Sequence, residues 1–240
     1  MKMPTLDATI SRRLLVNYRL DPEVAQSLLP SGLRPRLVGD AAVGGICLLR
    51  LSAVRPQWIG ANVGWSAENA AHRIAVEWDD ESGTRNGVFI PVRHSSSRLP
   101  VVLGGTLLPG RHEHAGFSVS ESPSRITIDA RALDMRVHAD VSDSTEWVSR
   151  LFGTLGEASA FQREGTIGWS PAKGGKTLDG LELSTRQWEV GATEIHDIGS
   201  SYFDSLPPGA AELDHVLVMR DVPVKWSASE FPKARNQSIC

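Results

Sequence analysis

Residues 41–54 read AAVGGICLLRLSAV, and this stretch decides the fold class. Nearly every residue from Ala41 to Leu49 is apolar, a pattern typical of a strand that is buried on both faces. Strand patterns lie on either side of it, because residues 10–20 and residues 71–78 alternate with a period of two. The stretch therefore indicates the interior of a sheet.

Strand patterns outnumber helix patterns along the rest of the chain. Further strands are predicted over residues 87–92, 114–121, 125–130, 135–141, 181–189, 192–198 and 215–224. Short helices are predicted from the N-cap candidate Asp21 to Pro30, over residues 96–108 and over residues 143–152. An extension of the last helix over residues 156–161 stays open. Since strands and helices do not alternate regularly, we predict an α+β protein with a barrel-like core.

Composition narrows the domain count and the partners. The chain has 240 residues and a formal net charge of -3, which fits one domain and offers no broad basic surface for nucleic acid. No apolar run has the length of a membrane span, so we expect no nucleic acid and no membrane partner. The two cysteines, Cys47 and Cys240, favour a reducing, cytoplasmic location. We place the single domain at residues 10–226, between flexible ends at 1–9 and 227–240.

Motifs for common cofactors are missing. Residues 173–177 read KGGKT, but Ser170 stands where a phosphate-binding loop needs its first glycine. This segment therefore fits a surface turn. No G-x-S-x-G and no G-x-G-x-x-G motif occurs, and we predict no cofactor.

Two stretches are richer in titratable side chains than a buried core requires. In the first, Glu68 and His72 share a strand face, which would bring a carboxylate beside an imidazole. In the second, Arg111 precedes His112 and His114, which share a face. Arg111 with one histidine would suit a carboxylate or an enolate. This cationic pocket is the preferred interpretation.

The same histidine pair leaves a metal site open. His112 and His114 could bind a metal if Glu68 or His94 added a further ligand. Such pairs are common on exposed strands, and no other ligand stands at an informative spacing. We therefore predict no metal.

Four segments carry a resemblance to a known superfamily. They are residues 18–22 (YRLDP), 28–33 (LLPSGL), 65–68 (WSAE) and 108–111 (LPGR). Their order resembles the acetoacetate decarboxylase-like superfamily, and more closely its bacterial YqjF-like branch of unknown function. The resemblance implies a closed or cone-shaped, mainly antiparallel β-barrel with a few short helices and a ligand cavity inside.

The resemblance also bears on the chemistry. In the decarboxylases a lysine of a Pro-Lys-Lys motif forms a Schiff base, and a second lysine lowers its pKa. The matching positions here are Gly110 and Arg111, and neither side chain can form an imine. The superfamily's pocket glutamate aligns with Glu68. Three arginines lie near the position of its substrate-binding arginine: Arg12, Arg13 and Arg19.

We therefore expect a small-molecule enzyme of the lyase, isomerase or cyclase type, which acts on an oxo-acid or polyketide-like carbonyl compound without an imine. Glu68 would move a proton, while Arg111 and His112 would stabilise a carboxylate or an enolate. The expected substrate-binding residues are His72, His114, Arg19 and Trp65. A non-catalytic small-molecule-binding protein of the same fold is the alternative. Either protein is compatible with a homodimer.

Overall fold

The computed structural model describes residues 3–60, 64–99, 108–172, 175 and 177–232. The strands are β1 (Leu6–Leu20), β2 (Arg34–Pro35), β3 (Leu37–Val38), β4 (Ala41–Pro56), β5 (Trp65–Asp80), β6 (Gly83–Phe89), β7 (Arg93–Ser95), β8 (His112–His114), β9 (Gly116–Glu121), β10 (Arg125–Arg131), β11 (Arg136–Ser144), β12 (Ile167–Pro171), β13 (Leu178–Ser184), β14 (Gly191–Ser200) and β15 (Ala211–Glu230). The helices are α1 (Pro22–Ser27), α2 (Leu155–Glu164) and α3 (Ser201–Asp204).

Seven strands form a closed ring. Their order is β1-β4-β5-β6-β12-β13-β15, and the pairing of β15 with β1 closes the ring. Neighbouring ring strands are antiparallel, except for β6 and β12, which are parallel. The predicted closed, mainly antiparallel barrel with a few short helices is confirmed.

A second layer covers part of the outside of the ring. The sheet continues from β15 through β14, β11 and β10 to β9. Ile128 of β10 and Val137 of β11 join one apolar cluster with Leu14 and Ile46 of the ring. Because β4 has a core on each side, every residue from Ala41 to Leu49 is buried. This explains the unbroken apolar run that the sequence shows there.

A bulge in β1 decides which of two adjacent arginines points into the ring. The register with β4 shifts between Ile10 and Arg12. As a result, Ile10 and Leu15 belong to the same inner cluster although one position number is even and the other odd. Arg13 therefore lies on the inner face and Arg12 on the outer face.

The helix predicted over residues 143–152 is wrong, because β11 continues through Ser144 and the next helix starts at Leu155. The extension considered over residues 156–161 lies within that helix. Thr154 begins that helix with a capping box: its Oγ1 accepts from the Glu157 amide at 3.1 Å, and Glu157 accepts from the Thr154 amide at 3.1 Å. A capping box marks a helix start more specifically than a short apolar run. Phe161 of α2 packs in the inner cluster of the ring.

Several sequence predictions concern the ends and loops. Strand pairing starts at Leu6 and runs to Glu230, beyond both ends of the predicted domain 10–226. The helix predicted over 96–108 falls mostly on residues 100–107, which lie outside the described residues. So do Lys173, Gly174 and Lys176 of the predicted turn. Among the residues that are described, no helix is both long and apolar enough to cross a bilayer.

Candidate functional site

The ring encloses a cavity of about 160 Å³. Each of the seven ring strands contributes to its wall. Representative lining residues are Ala8 (β1), Cys47 (β4), Asn69 (β5), Val88 (β6), Gly168 (β12), Leu181 (β13) and Trp226 (β15). Gln162 of α2 also lines the cavity. The cavity is therefore the interior of the barrel itself.

Positive charge dominates the polar part of the wall. Three arginines line it, Arg13, Arg73 and Arg93, and the described residues contribute no aspartate or glutamate to it. Arg13 donates from Nε to the Cys47 sulfur at 3.1 Å. An enclosed wall with cations and without carboxylates favours an anionic ligand.

Arg73 is held by a neutral group. It is 3% exposed, and its Nη2 donates to Asn17 Oδ1 at 2.6 Å. Gln162 of α2 donates to the same oxygen at 2.9 Å, while Arg73 Nε has no hydrogen-bond partner among the described residues. Burial lowers the pKa of Arg73 to about 10, so the group is still a cation at neutral pH.

Arg93 occupies the space beside a glycine. Its guanidinium donates to Ser170 Oγ and, at 3.3 Å, to the carbonyl of Gly168. A Cβ on Gly110 would lie 2.7 Å from Arg93 Nη1, and Gly110 has a φ of +86°. A side chain at position 110 is therefore disfavoured both by the arginine and by the backbone. Burial lowers the pKa of Arg93 to about 10, and Asp179 offsets part of this effect.

His112 lies directly beside Arg93, because β7 and β8 pair in parallel with these two residues opposite each other. Its Nε2 is 3.0 Å from the carbonyl oxygen of Pro109. A carbonyl can only accept, so Nε2 carries the proton and the lone pair lies on Nδ1. Burial, together with the charge of Arg93, lowers the pKa of His112 to about 4. The imidazole is therefore neutral at pH 7.

Only two of the predicted site residues line the cavity, His112 and Trp65. Arg111 is turned to solvent, with a side chain that is 64% exposed and paired with Glu113. His114 is also exposed. The expected convergence of Arg111 with His112 on one molecule is thus not formed. For Arg111 the physical reason is the alternation of side chains along the chain, which sends Arg111 and His112 to opposite faces.

Glu68 and His72 share a face, as predicted, but it is the outer face of β5. Glu68 pairs there with Arg12 and, at 3.1 Å, with Arg50. His72 is hydrogen-bonded to Ser200 Oγ at 2.9 Å and stacks on Tyr202. Neither residue lines the cavity, since the inner face of β5 belongs to the odd-numbered positions.

Arg19 also lies away from the cavity. Its guanidinium is 3.6 Å from Asp40 and 3.6 Å from Glu212. The interior arginines Arg73 and Arg93 are not among the residues that the sequence singled out. Arg73 is a charge within an alternating strand pattern and Arg93 directly follows an apolar one, and neither signal says which face is inside.

Acidification should destabilise the fold through two histidines. The pKa of His72 and of His112 is lowered by burial to about 4, below the usual 6.5. As pH falls below 6.5, these histidines take up protons in the unfolded chain but not yet in the folded protein. Their contribution to the free energy of unfolding is therefore complete above pH 6.5 and is lost as pH falls toward 4. Urea unfolding between pH 7 and pH 4 measures the loss, which is at most about 3 kcal/mol per histidine.

The variant His112→Gln is the control for this pH effect. Between pH 6.5 and 4, the free energy of unfolding of this variant should fall less steeply than that of the wild type, because one titrating histidine is missing. The carboxylates contribute equally in both proteins. An unchanged pH dependence would show that His112 does not titrate below its usual range.

The closed ring with an interior cavity defines the acetoacetate decarboxylase-like fold. Within it, the chain belongs to the DUF2071 family, described as an uncharacterized conserved protein (COG2071), whose model matches residues 7–215. No curated protein sequence gives a significant match.

Solved structures show the same fold at low identity. An acetoacetate decarboxylase-like enzyme from Sphingomonas wittichii RW1 is 14% identical with a TM-score of 0.65, covering 98% of this chain and 95% of that one. The enduracididine biosynthesis enzyme MppR, solved with pyruvate, is 15% identical with a TM-score of 0.62, covering 96% and 91%. Acetoacetate decarboxylase from Legionella pneumophila is 12% identical with a TM-score of 0.60, covering 95% and 87%.

Proposed function

We propose that this protein is an enzyme that binds a small oxo-carboxylate inside the ring and moves a proton next to its carbonyl group. The reaction would be of the lyase, isomerase or cyclase type and would use no lysine imine. The observation that carries the proposal is the enclosed wall with three arginines and, among the described residues, no carboxylate.

The charge of the cavity wall supports an anionic ligand. Arg73 is buried beside neutral groups. Arg93 donates to neutral groups as well, and Asp179 offsets only part of the effect of its burial, so positive charge remains in excess at this wall. A carboxylate would supply the missing charge and would accept paired N–H donors from a guanidinium. A cavity of about 160 Å³ is close in volume to an engineered cavity that binds benzene, which suits a small oxo-acid. The relative MppR was solved with pyruvate, a member of that class.

In this proposal Arg73 and Arg93 hold the carboxylate, and His112 acts as the base. Nδ1 of His112 takes a proton from the carbon next to the carbonyl, which leaves an enolate and an imidazolium. Arg93 stabilises the enolate, because it lies beside His112 in the strand register. The proton returns from Nδ1 to carbon when the product forms. Trp65 and Trp188 provide apolar wall.

The described residues support a reaction without an imine. Lys225 is the one lysine in the described part of the chain, and it is exposed. Gly110, which matches a lysine position of the superfamily, has no side chain, and the Arg93 guanidinium fills the adjacent space. Arginine is not a useful nucleophile at neutral pH. The chemistry would therefore be non-covalent.

Deuterium exchange of the pyruvate methyl group tests the proposal. The wild-type protein in heavy water should exchange these protons, as followed by NMR, and His112→Gln should slow the exchange by about 100-fold or more. His114→Gln is the matched control, because His114 lies two residues away and is exposed. Exchange that is equally fast with His112→Gln would contradict the role of this histidine.

The same samples separate the two candidate functions. Pyruvate or acetoacetate that quenches tryptophan fluorescence without being exchanged or converted would support the non-catalytic binding protein. Failure of both acids to bind would contradict the ligand class. A cytoplasmic location and a homodimer stay predictions from the sequence.

A further inference from the structure

We propose that the protein has a second site, a zinc-binding site formed by His94, Glu113 and Asp134. His94 also lines the cavity, but Glu113 and Asp134 do not, and the site does not depend on the proposed reaction. Among the described residues, these three form the one group whose ligand atoms lie close enough to hold a metal ion, all within 4.8 Å of one another.

Strand register brings the three ligands together. His94 of β7 lies opposite Glu113 of β8 in the parallel pair and opposite Ala70 of β5 on its other side. Asp134 comes from the turn between β10 and β11, in the second layer. The site therefore lies where the outer face of the ring meets the covering sheet.

The distances suit a tetrahedral ion better than direct hydrogen bonds. His94 Nε2 is 3.7 Å from Glu113 Oε2 and 3.5 Å from Asp134 Oδ1. Both separations are too long for hydrogen bonds of normal geometry. Zinc bonds of about 2.1 Å in a tetrahedron place neighbouring ligand atoms about 3.4 Å apart, which is close to the observed spacing.

The imidazole of His94 provides an independent observation. It is 4% exposed, and neither ring nitrogen has a hydrogen-bond partner among the described residues. Buried polar atoms are nearly always satisfied, and each unsatisfied one needs an explanation. A zinc ion would satisfy Nε2, which points toward both carboxylates. One imidazole and two carboxylates are ordinary zinc ligands.

The surroundings complete a site with one open position. Arg111 Nη2 contacts Glu113 Oε1, so the other carboxylate oxygen is left to face His94. Arg111 would thus be a positioning residue for a ligand rather than a cavity residue. Asp134 is 55% exposed, which provides an entry path for the ion and room for a water as fourth ligand.

Zinc titration of the chelator-stripped full chain tests this site. Calorimetry should show one zinc ion bound per chain, and zinc should raise the melting temperature. His94→Gln and Asp134→Asn should each weaken binding by more than about tenfold. His114→Gln is the control, because His114 follows Glu113 directly but does not belong to the cluster; its affinity should equal that of the wild type.

Two results would overturn the proposal. One is that the wild type binds no zinc at about millimolar concentration. The other is that Asp134→Asn binds zinc as tightly as the wild type. The second variant keeps the test decisive if His94→Gln fails to fold, since Asp134 is largely exposed. Pyruvate binding is measured separately with Asp134→Asn, because Asp134 does not line the cavity.

Discussion

Replacement of Arg93 by methionine is expected to weaken pyruvate binding by roughly 30- to 100-fold. A charge-assisted hydrogen bond in a desolvated site contributes about 2–3 kcal/mol, which corresponds to this change in Kd. Methionine keeps the length and the apolar stem of the side chain while it removes the donors and the charge. Quenching of the tryptophans that line the cavity, Trp65, Trp188 and Trp226, measures Kd directly.

Arg111→Met is the matched control for this prediction. Arg111 lies next to Gly110 in the chain, but its side chain is turned to solvent, so pyruvate affinity should not change. If Arg111→Met loses affinity and Arg93→Met does not, the ligand binds at the residues that the sequence first indicated. Arg73→Met should behave like Arg93→Met, because both guanidinium groups face the same cavity.

Replacement of Glu68 by glutamine is expected to lower the free energy of unfolding by roughly 3 kcal/mol. Arg12 is 1% exposed and contacts Glu68, so the variant leaves a buried guanidinium without its closest counter-charge. Glu121 still pairs with Arg12 at 3.0 Å, which keeps the loss at the lower end for a broken buried pair. Urea unfolding measures the change, and pyruvate Kd should stay as in the wild type.

Two further variants test whether the lower free energy of unfolding comes from the unpaired charge of Arg12. Glu121→Gln removes the more exposed partner of Arg12, and we expect an effect of about 1 kcal/mol or less. The double variant Arg12→Met with Glu68→Met should recover part of the stability, because it buries no unpaired charge. Normal stability of Glu68→Gln combined with weaker pyruvate binding would instead return Glu68 to the ligand site.

The fold could be predicted from the sequence because its strongest signal is local. The apolar run from Ala41 to Leu49 requires a strand with protein on both sides, and the structure provides the ring interior on one side and the second layer on the other. Residues 143–152 carry no local signal of this strength, and the helix predicted there is not formed. Its apolar side chains pack as an irregular segment, in which Trp147 donates to the carbonyl of Phe152 at 3.0 Å.

The site was harder to predict, because alternation with a period of two shows which residues share a strand face but not whether that face points into the ring. Glu68 and His72 do share a face, yet the second layer makes it an outer face. A bulge near Ser11 places Arg13 on the inner face and Arg12 on the outer face. Alternation along the strand does not reveal such a bulge. Arg93 becomes informative only beside Gly110, and this contact joins residues far apart in sequence.

The pairing of β1 with β15 has a consequence for biosynthesis. The first strand leaves the ribosome long before its partner, the strand Ala211–Glu230, has been synthesised. Until then the ring cannot close, and β1 keeps one unpaired edge that could pair with another nascent chain. Contacts between such distant segments also form slowly. The barrel must therefore be completed after most of the chain has been translated, and chaperones that shield strand edges would act during that interval.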